Sequence, residues 1–410
     1  MQEKIFCEKI CKAGGQLYIA GGWVRDKIRG ALAKDKDYVV AAMEERDFCR
    51  MFPEAVKVGK SFPVYLLEIN GQKSEVAFAR REKKSGIGYR GFIVSSDKTI
   101  TIEEDLYRRD TTMNSIAWKL PEEVLIDPYG GRSDIEKGMI RATSKHFSED
   151  PVRALRAARQ AAEMDFSVEI ETINQMSLCQ SELAAEPQER FFQELVKALA
   201  CKKPSVFFRV LQAAGLLAIV FPEIFFLQGK IQPKEFHPEG DAFEHSMKMV
   251  DEVAARGTSP LVRFAALVHD IGKGVTLAQD LPHHYGHEIK GVAVFKAWAS
   301  RMTFPKTWQQ AAEFIIREHM RAPRLSKPGK IVDFLLAAEK NPLGLSGIGA
   351  VVLADHKSLP DYLLHHEHYL RNIHEVRGSM LPAGLSGQQI AVWLRQKQIQ
   401  AYQRGIASRI

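Results

Sequence analysis

Leu17-Tyr18-Ile19-Ala20-Gly21-Gly22-Trp23-Val24-Arg25-Asp26, followed by Lys34-Asp35-Lys36-Asp37-Tyr38-Val39-Val40, is the stretch on which the fold turns. The apolar run at 17–20 reads as a short buried strand ending in a double glycine. Val24 to Leu32 reads as one short helix, and Asp35-x-Asp37 as the entry to a second strand. Side chains two apart on a strand share a face. Glycine lets backbone amides approach phosphate oxygens, and a helix start favours anions. Two carboxylates beside such a turn suit Mg²⁺, which takes oxygen ligands and commonly bridges phosphates. Gly-Gly alone marks many turns, and Asp-x-Asp also occurs on solvated edges. It is the combination that points to chemistry.

Around this stretch, residues 1 to about 140 mix strands and helices, with further β-type runs at 63–69 and 75–79. Residues 84–92 carry Gly86, Gly88 and Gly91 and read as a mobile loop, and 127–131 as a turn. From about 147 helical periodicity takes over, with helices expected near 152–164, 170–180, 188–201 and 204–215. Pro151 suits a first helical turn. Pro222 and the segment 229–233 mark a boundary. Residues 237–370 are again helical and rich in histidine, and the tail from 386 reads as helix. A chain of 410 residues exceeds one ordinary core, so several domains are expected.

The composition, 45% hydrophobic and 26% charged, is that of a globular protein. A net charge of +7 permits a nucleic-acid or phosphate partner without demanding one. The basic excess concentrates at the end: after Glu375 there is no Asp or Glu, while Arg377, Arg395, Lys397, Arg404 and Arg409 follow. That tail reads equally as a solubilising segment or an RNA contact. Five cysteines without a CxxC pair argue against disulfides and zinc knuckles. Cys7 and Cys11 share a helix face and read as packing. Glu3, Lys4, Glu8 and Lys9 interrupt the apolar N-terminus, which does not read as a signal peptide. No apolar run approaches the roughly 20 residues of a membrane span. A reducing cytoplasm is the expected setting.

Two further stretches complete a possible nucleotide site. In Glu103-Glu104-Asp105-Leu106-Tyr107-Arg108-Arg109-Asp110-Thr111-Thr112-Met113-Asn114, paired arginines could clamp a triphosphate through bidentate hydrogen bonds, or form a surface charge ladder. In Glu149-Asp150-Pro151-Val152-Arg153-Ala154-Leu155-Arg156-Ala157-Ala158-Arg159, Asp150 reads as an N-cap. Three residues on, Arg153 shares its helix face. An Asp acceptor beside an Arg donor can read a base edge. Cytosine and adenine offer an exocyclic amine there, whereas uracil and guanine offer a carbonyl that a carboxylate would leave unpaired.

GGWVRD, KDKD, EEDLYRRDTTMN and EDPVRALRAAR, in this order and spacing, resemble the head and neck of the bacterial CCA-adding tRNA nucleotidyltransferases, a class shared with bacterial poly(A) polymerases. FPVYL, FARREKKSGIGYRGF and FFRVLQAAGLLAIVFPEI resemble the subgroup that ends in an HD domain. The resemblance covers essentially the whole chain. It implies an α+β protein: a mixed α/β nucleotidyltransferase head of polymerase-β type at 1–140, a helical neck and body at 141–228 binding base and tRNA, a helical HD domain at 229–375, and a basic helical tail at 376–410. It further implies that Asp35 and Asp37 bind Mg²⁺ and are catalytic. Gly21, Gly22, Arg25, Asp26, Arg108, Arg109, Asp110 and Asn114 would belong to the nucleotide site. Glu149, Asp150 and Arg153 would pair with the base of CTP or ATP, with Arg156 and Arg159 as further arginines of the neck. The family usually carries an aromatic residue or leucine where Thr111 stands, and often Arg-Phe where Arg159-Gln160 stands.

The second constellation is built of histidines, 13 in all, most of them between 237 and 374. His269-Asp270 follows an apolar helix and precedes Ile271-Gly272-Lys273-Gly274. A lone His-Asp pair says little, but His245, His283, His284, His287, His319 and Asp355-His356 accompany it. Imidazole and carboxylate together suit a transition metal or Mg²⁺ with water-activating positions. The pattern resembles the HD phosphohydrolases, which implies His245, His269, Asp270 and Asp355 as metal ligands and Lys273 near a phosphate. His284, His287 and His319 would support these ligands or hold a second metal, and His365, His366 and His368 read as surface. In related CCA enzymes the domain is associated with 2′-nucleotidase, 2′,3′-cyclic phosphodiesterase and phosphatase activity. The expectation is template-independent addition of C, C and A to the tRNA 3′ end, and its repair, with a second, hydrolytic activity. Alternatives are a CC-only, A-adding or poly(A) enzyme, an HD hydrolase with an RNA-binding head, or a non-enzymatic RNA binder.

Overall fold

The computed structural model describes all residues except Lys34, 60–62, 87–90, Lys234, Phe236, His237 and Ile410. Gly88 and the middle of the expected glycine loop, residues 87–90, therefore lie outside the described residues, as does Phe62 of the FPVYL segment. The chain forms two compact units: Met1–Glu194 with Val206–Val220, and Leu195–Ser205 with Phe221–Ile410.

Among the described residues the first unit carries eleven strands, the first nine being β1 Gln16–Ala20, β2 Asp37–Ala41, β3 Val56–Val58, β4 Val64–Ile69, β5 Gln72–Phe78, β6 Arg81–Lys84, β7 Phe92–Ser95, β8 Ala117–Leu120 and β9 Val124–Ile126, while Met139–Ile140 and Ser167–Val168 pair in parallel by themselves. Seven form one mixed sheet in the order β3-β4-β5-β2-β1-β8-β9, while β6 and β7 pair as a separate ribbon. The runs read at 17–20, 38–41, 63–69 and 75–79 all fall on sheet strands. β1 and β2 sit at the centre and are buried on both faces. Tyr38 faces a cluster with Phe6, Phe48 and Phe52, and its ring lies 5.6 Å from that of Phe6. Tyr18, Ala20, Val39 and Ala41 face the other way, onto Ile100, Ile102 and Leu106. Each large side chain so buried contributes about 1.5–3 kcal/mol.

The parallel pair β2–β5 sets Asp37 opposite Glu75. Between β1 and β2, the helix spans Gly22–Ile28, shorter than the expected 24–32. It stops because Gly30 turns to a positive φ of 66° and Leu32 is left exposed, with no apolar surface to continue against. The helix Ile102–Tyr107 opens with a capping box in which Thr101 accepts from Glu104 N and the Glu104 side chain answers the Thr101 amide. After the 3₁₀ turn Lys145–Glu149 comes the helix Val152–Met164, whose alanines 154, 157, 158, 161 and 162 are buried. Shorter helices at Ile170–Ser177 and Gln180–Leu183 follow.

The second unit is helical. Its principal helices are Ala242–Ala255, Pro260–Val268, His287–Arg301, Lys306–Glu318, Pro328–Glu339, Gly344–His356, His366–His374 and Gln388–Ala407. Phe264, Phe295, Trp298 and Phe304 form its aromatic centre, with Phe264 and Phe304 rings 5.3 Å apart. Among the described residues no helix is long and apolar enough to cross a membrane.

Candidate functional site

The first unit holds a cavity of about 650 Å³. Its wall includes Gly21, Gly22, Arg25, Asp37, Arg108, Arg109, Asp110, Asn114, Asp150, Arg153, Arg156 and Arg159, residues drawn from three separate stretches of sequence. Gly21 has φ +80°, open to glycine at little cost, and a Cβ there would lie 3.0 Å from Arg109 Nη1. Asp37 begins β2. Although Asp37 is open to the cavity, desolvation by the protein around it pushes its carboxyl up to about 6, with Glu75 and Asp35 adding to the shift and Arg109 opposing it. A divalent cation with oxygen ligands would relieve such crowding of carboxylates. Asp35 is exposed and precedes the strand, so strand alternation does not orient it; Glu75 is the carboxylate that the sheet sets beside Asp37.

Opposite the carboxylates the cavity is cationic. Arg108 and Arg109 emerge at i+3 and i+4 from Asp105, which is buried and accepts from both. Arg108 also donates to Glu82 at 2.7 Å, and Glu82 takes Arg80 at 3.0 Å. Arg25 Nη1 donates to Asn114 Oδ1 at 3.0 Å, and Asn114 Nδ2 to Asp110 Oδ1 at 3.0 Å. Burial opposes ionisation of Asp110, yet Arg156 at 2.9 Å, Asn114 and the Thr111 amide hold its carboxyl well below the usual range. At the start of the long helix Asp150 Oδ1 accepts from the Val152 amide, as the N-cap reading expects, and both carboxylate oxygens take Arg190 at 3.1 Å. Arg153 donates to the His146 carbonyl at 2.6 Å and approaches Glu82 at 3.6 Å. Arg159 is tied to Glu163 and Glu194.

Asp26, Asp35 and Glu149 are not part of the cavity wall: Asp26 pairs with Arg25 at 2.9 Å, Asp35 is exposed ahead of β2, and Glu149 pairs with His146 at 2.8 Å. Glu75, Glu82, Arg80 and Arg190 do line it and went unread in the sequence. The available signals were a carboxylate inside an apolar strand run, for Glu75, and an acid inside Arg80-Arg81-Glu82-Lys83-Lys84, for Glu82.

The second unit gathers its histidines at helix ends. His245 lies one turn inside Ala242–Ala255, whose N-cap Asp241 accepts from Glu244 N at 2.8 Å. His269 caps Pro260–Val268, His287 opens His287–Arg301, His319 caps Lys306–Glu318, and Asp355 ends Gly344–His356 but for one residue. Gly272 lets these elements meet, since a Cβ there would stand 1.9 Å from the His287 carbonyl oxygen. Asp270 is the hub: His269 Nε2 approaches its Oδ2 at 3.2 Å, and His287 and His319 Nε2 approach its Oδ1 at 3.2 and 3.3 Å. His245 Nε2 lies 3.3 Å from His269 Nε2 and 3.2 Å from Asp355 Oδ1. Two groups could each hold a metal, His245/His269/Asp270 and Asp270/His287/His319, sharing Asp270.

Hydrogen bonding fits these groups to metal. His269, His287 and His319 each turn Nδ1 to a backbone carbonyl, of Ala266, His284 and Ile316. That bond assigns the proton to Nδ1 and leaves Nε2 a lone pair facing the carboxylate. Asp270 Oδ1 is buried without a hydrogen-bond partner among the described residues. Burial works against Asp270, but Lys273 at 2.6 Å and His269 hold its carboxyl well below the usual range. Lys273 also donates to Gln232 at 2.5 Å, and Glu239 holds His245 Nδ1; neither supporting residue was read from the sequence. His284 instead bonds Thr276 and the Ile231 carbonyl. His365, His366 and His368, read as surface, are half-buried, and His368 reaches the Gly405 carbonyl at 3.0 Å.

Three family models match successive parts of the chain. Residues 17–141 match the poly A polymerase head domain, 165–227 the probable RNA and SrmB-binding site of polymerase A, and 242–345 the HD domain. Both the nucleotidyltransferase and HD families are metal-dependent. The fold is that of the Bacillus stearothermophilus CCA-adding enzyme in complex with CTP (TM-score 0.66, 21% identity, 98% of this chain and 91% of that one). It is also that of the Thermotoga maritima CCA-adding enzyme complexed with tRNA (TM-score 0.63, 21% identity, 99% and 94%). The multifunctional CCA protein of Nitrosococcus oceani is 36% identical over 411 aligned residues, covering 95% of this chain and 98% of the relative. On that likeness, which spans the carboxylate cavity and the histidine cluster alike, the chain belongs to the family of multifunctional CCA proteins.

Proposed function

We propose that the chain adds C, C and A to the tRNA 3′ end from CTP and ATP without a nucleic-acid template, and that its HD part is a separate metal-dependent phosphohydrolase. The observation that carries the first reading is the single cavity joining Asp37 and Glu75, the arginines, and the Asp150/Arg153 pair. The proposed division is head 1–140, neck and body 141–228, HD domain 229–375 and tail 376–410. Cytoplasmic residence belongs to the same proposal, since tRNA is the substrate.

Asp35 and Asp37, with Glu75, would hold Mg²⁺, which supplies neutralisation of the triphosphate and activation of the attacking hydroxyl. The tRNA 3′ oxygen bonds to the α-phosphorus of the nucleotide as the bond to pyrophosphate breaks. Arg109 and Arg25, beside the Gly21-Gly22 turn, meet the negative charge of the phosphates. Asp150 accepts from the exocyclic amine of cytosine or adenine and Arg153 donates to the neighbouring acceptor, so a base with a carbonyl at that edge loses a hydrogen bond. The tRNA body is recognised by shape and phosphates.

In the HD part, His245, His269, Asp270 and Asp355 would hold one metal. His287 and His319 would share Asp270 with a second, and Lys273 would meet a phosphate. The bound metal supplies an activated water for phosphoester hydrolysis of 2′,3′-cyclic, 2′-phosphate or monoester substrates. Asp270 and the Nδ1-anchored imidazoles keep the donor atoms aimed inward.

Stepwise incorporation with each nucleotide alone, on tRNA transcripts ending before C, CC and CCA, tests the first activity and separates complete from partial addition. Asp37→Ala should abolish CMP and AMP incorporation and spare hydrolysis. Incorporation by that variant would sink the metal assignment.

A further inference from the structure

Thr111 and Gln160 touch each other in the interior of the first unit. They lie 49 residues apart, and their exposures are 0% and 1%. Thr111 Oγ1 is 3.0 Å from Gln160 Oε1, and Gln160 Nε2 is 3.2 Å from Asp110 Oδ2. The carboxylate settles the amide orientation: an amide oxygen facing Asp110 would place two acceptors together, so the NH₂ must face it. The amide oxygen then faces Thr111, whose hydroxyl donates.

Asp110 Oδ2 also takes Arg156 Nη2, at 2.9 Å. Among the described residues Asp110 is the ion-pair partner of Arg156, whose side chain is 47% exposed. A long side chain that open to solvent holds one geometry only if its anchor is rigid. The other oxygen, Oδ1, is held by the Thr111 amide at 2.8 Å and by Asn114. Thr111 and Gln160 therefore complete the immobilisation of the one carboxylate that anchors Arg156. An apolar pair would fill the same buried space but leave Oδ2 held by Arg156 alone.

We propose that Gln160, oriented by Thr111, is a positioning residue that acts through Asp110 to hold Arg156 at the cavity wall and so sets the affinity for the incoming nucleotide. The proposal rests on the nucleotidyltransferase reading of the cavity.

The test uses the full chain with Mg²⁺, carrying Gln160→Met, Thr111→Val, both together, and Gln160→Met in an Arg156→Ala background. Three quantities are measured: CTP and ATP dissociation constants by calorimetry, incorporation at saturating nucleotide, and thermal midpoint. Gln160→Met leaves the buried Thr111 hydroxyl only its longer 3.4 Å contact with Asp110 Oδ1 and should lower the midpoint while weakening both nucleotides about tenfold. The double variant removes both polar partners and should regain most of the midpoint, yet keep the weakened affinity, with the rate at saturation within about twofold of wild type. With Arg156 already Ala, Gln160→Met should cost no further affinity. If the double variant recovers affinity along with stability, or the Arg156→Ala background still shows the tenfold loss, the proposal is overturned. A wild-type chain that binds CTP and ATP without incorporating them defeats the functional reading, while the binding comparison still decides this inference. A wild-type chain that binds neither nucleotide defeats both.

Discussion

Replacing Asp105 by Asn removes one negative charge and almost no volume from beneath two arginines. Asp105 is 1% exposed and accepts from Arg108 Nε at 3.1 Å and Arg109 Nη2 at 3.1 Å. Arg108 and Arg109 side chains are themselves only 14% and 20% exposed, so neither charge recovers full hydration when its partner is lost. Breaking a buried pair from one side costs about 3–5 kcal/mol. Asparagine retains one oxygen acceptor, so the lower end, about 3 kcal/mol, is expected. For a unit of this size that is a fall of roughly 6–12 °C in thermal midpoint, read by scanning calorimetry. The pH dependence carries a sign. Burial opposes ionisation of Asp105, but Arg108 and Arg109 prevail and hold its carboxyl below the ordinary value. A carboxylate depressed in the folded state contributes its full stability above the unfolded pKa of about 3.9 and loses it as pH falls through the folded value. The gap between wild type and Asp105→Asn should thus be constant above about pH 5 and close below about pH 4. A midpoint change under about 2 °C, or a gap that persists unchanged at the acid end, would refute the reasoning.

The remaining predictions are of the same kind. His319→Ala should lower metal content in the HD part, measured by mass spectrometry of dialysed protein, from two ions toward one while CMP incorporation continues; unchanged content would count against a shared Asp270. Gly272→Ala should abolish phosphohydrolysis and spare incorporation, because its methyl meets the His287 carbonyl. Under native conditions near pH 8 a thiol reagent should modify the exposed Cys11 and Cys49 and leave Cys179, which is buried with its thiol pushed up to about 12 by that burial. Peptide mapping after a timed reaction reads this directly, and early labelling of Cys179 would contradict it.

Local order in this chain was legible because it is written in local patterns. The continuous apolar runs at 17–20 and 38–41, the double glycine, and the alanine-rich period at 152–164 each depend on neighbours a few residues away, and each became the expected element. The residue types of both sites were legible for the same reason: Asp37, Arg108, Arg109, Asp150 and His269-Asp270 stand in motifs whose chemistry is apparent from their order. The end of the Gly22–Ile28 helix was misread because Leu32 extends the apolar period but meets no core. What the tertiary structure alone decided is which groups meet across long separations. The parallel pairing of β2 with β5 brings Glu75 to Asp37, and the β6 ribbon carries Glu82 to Arg108. Four helix ends bring His245, His269, His287 and His319 to Asp270, so that of the three expected auxiliary histidines His287 and His319 reach it while His284, close by in sequence, does not. The buried bond between Thr111 and Gln160 has the same origin. Such meetings follow from strand order and helix packing, which are set by the burial of the whole apolar surface at once, and no window of sequence contains that sum.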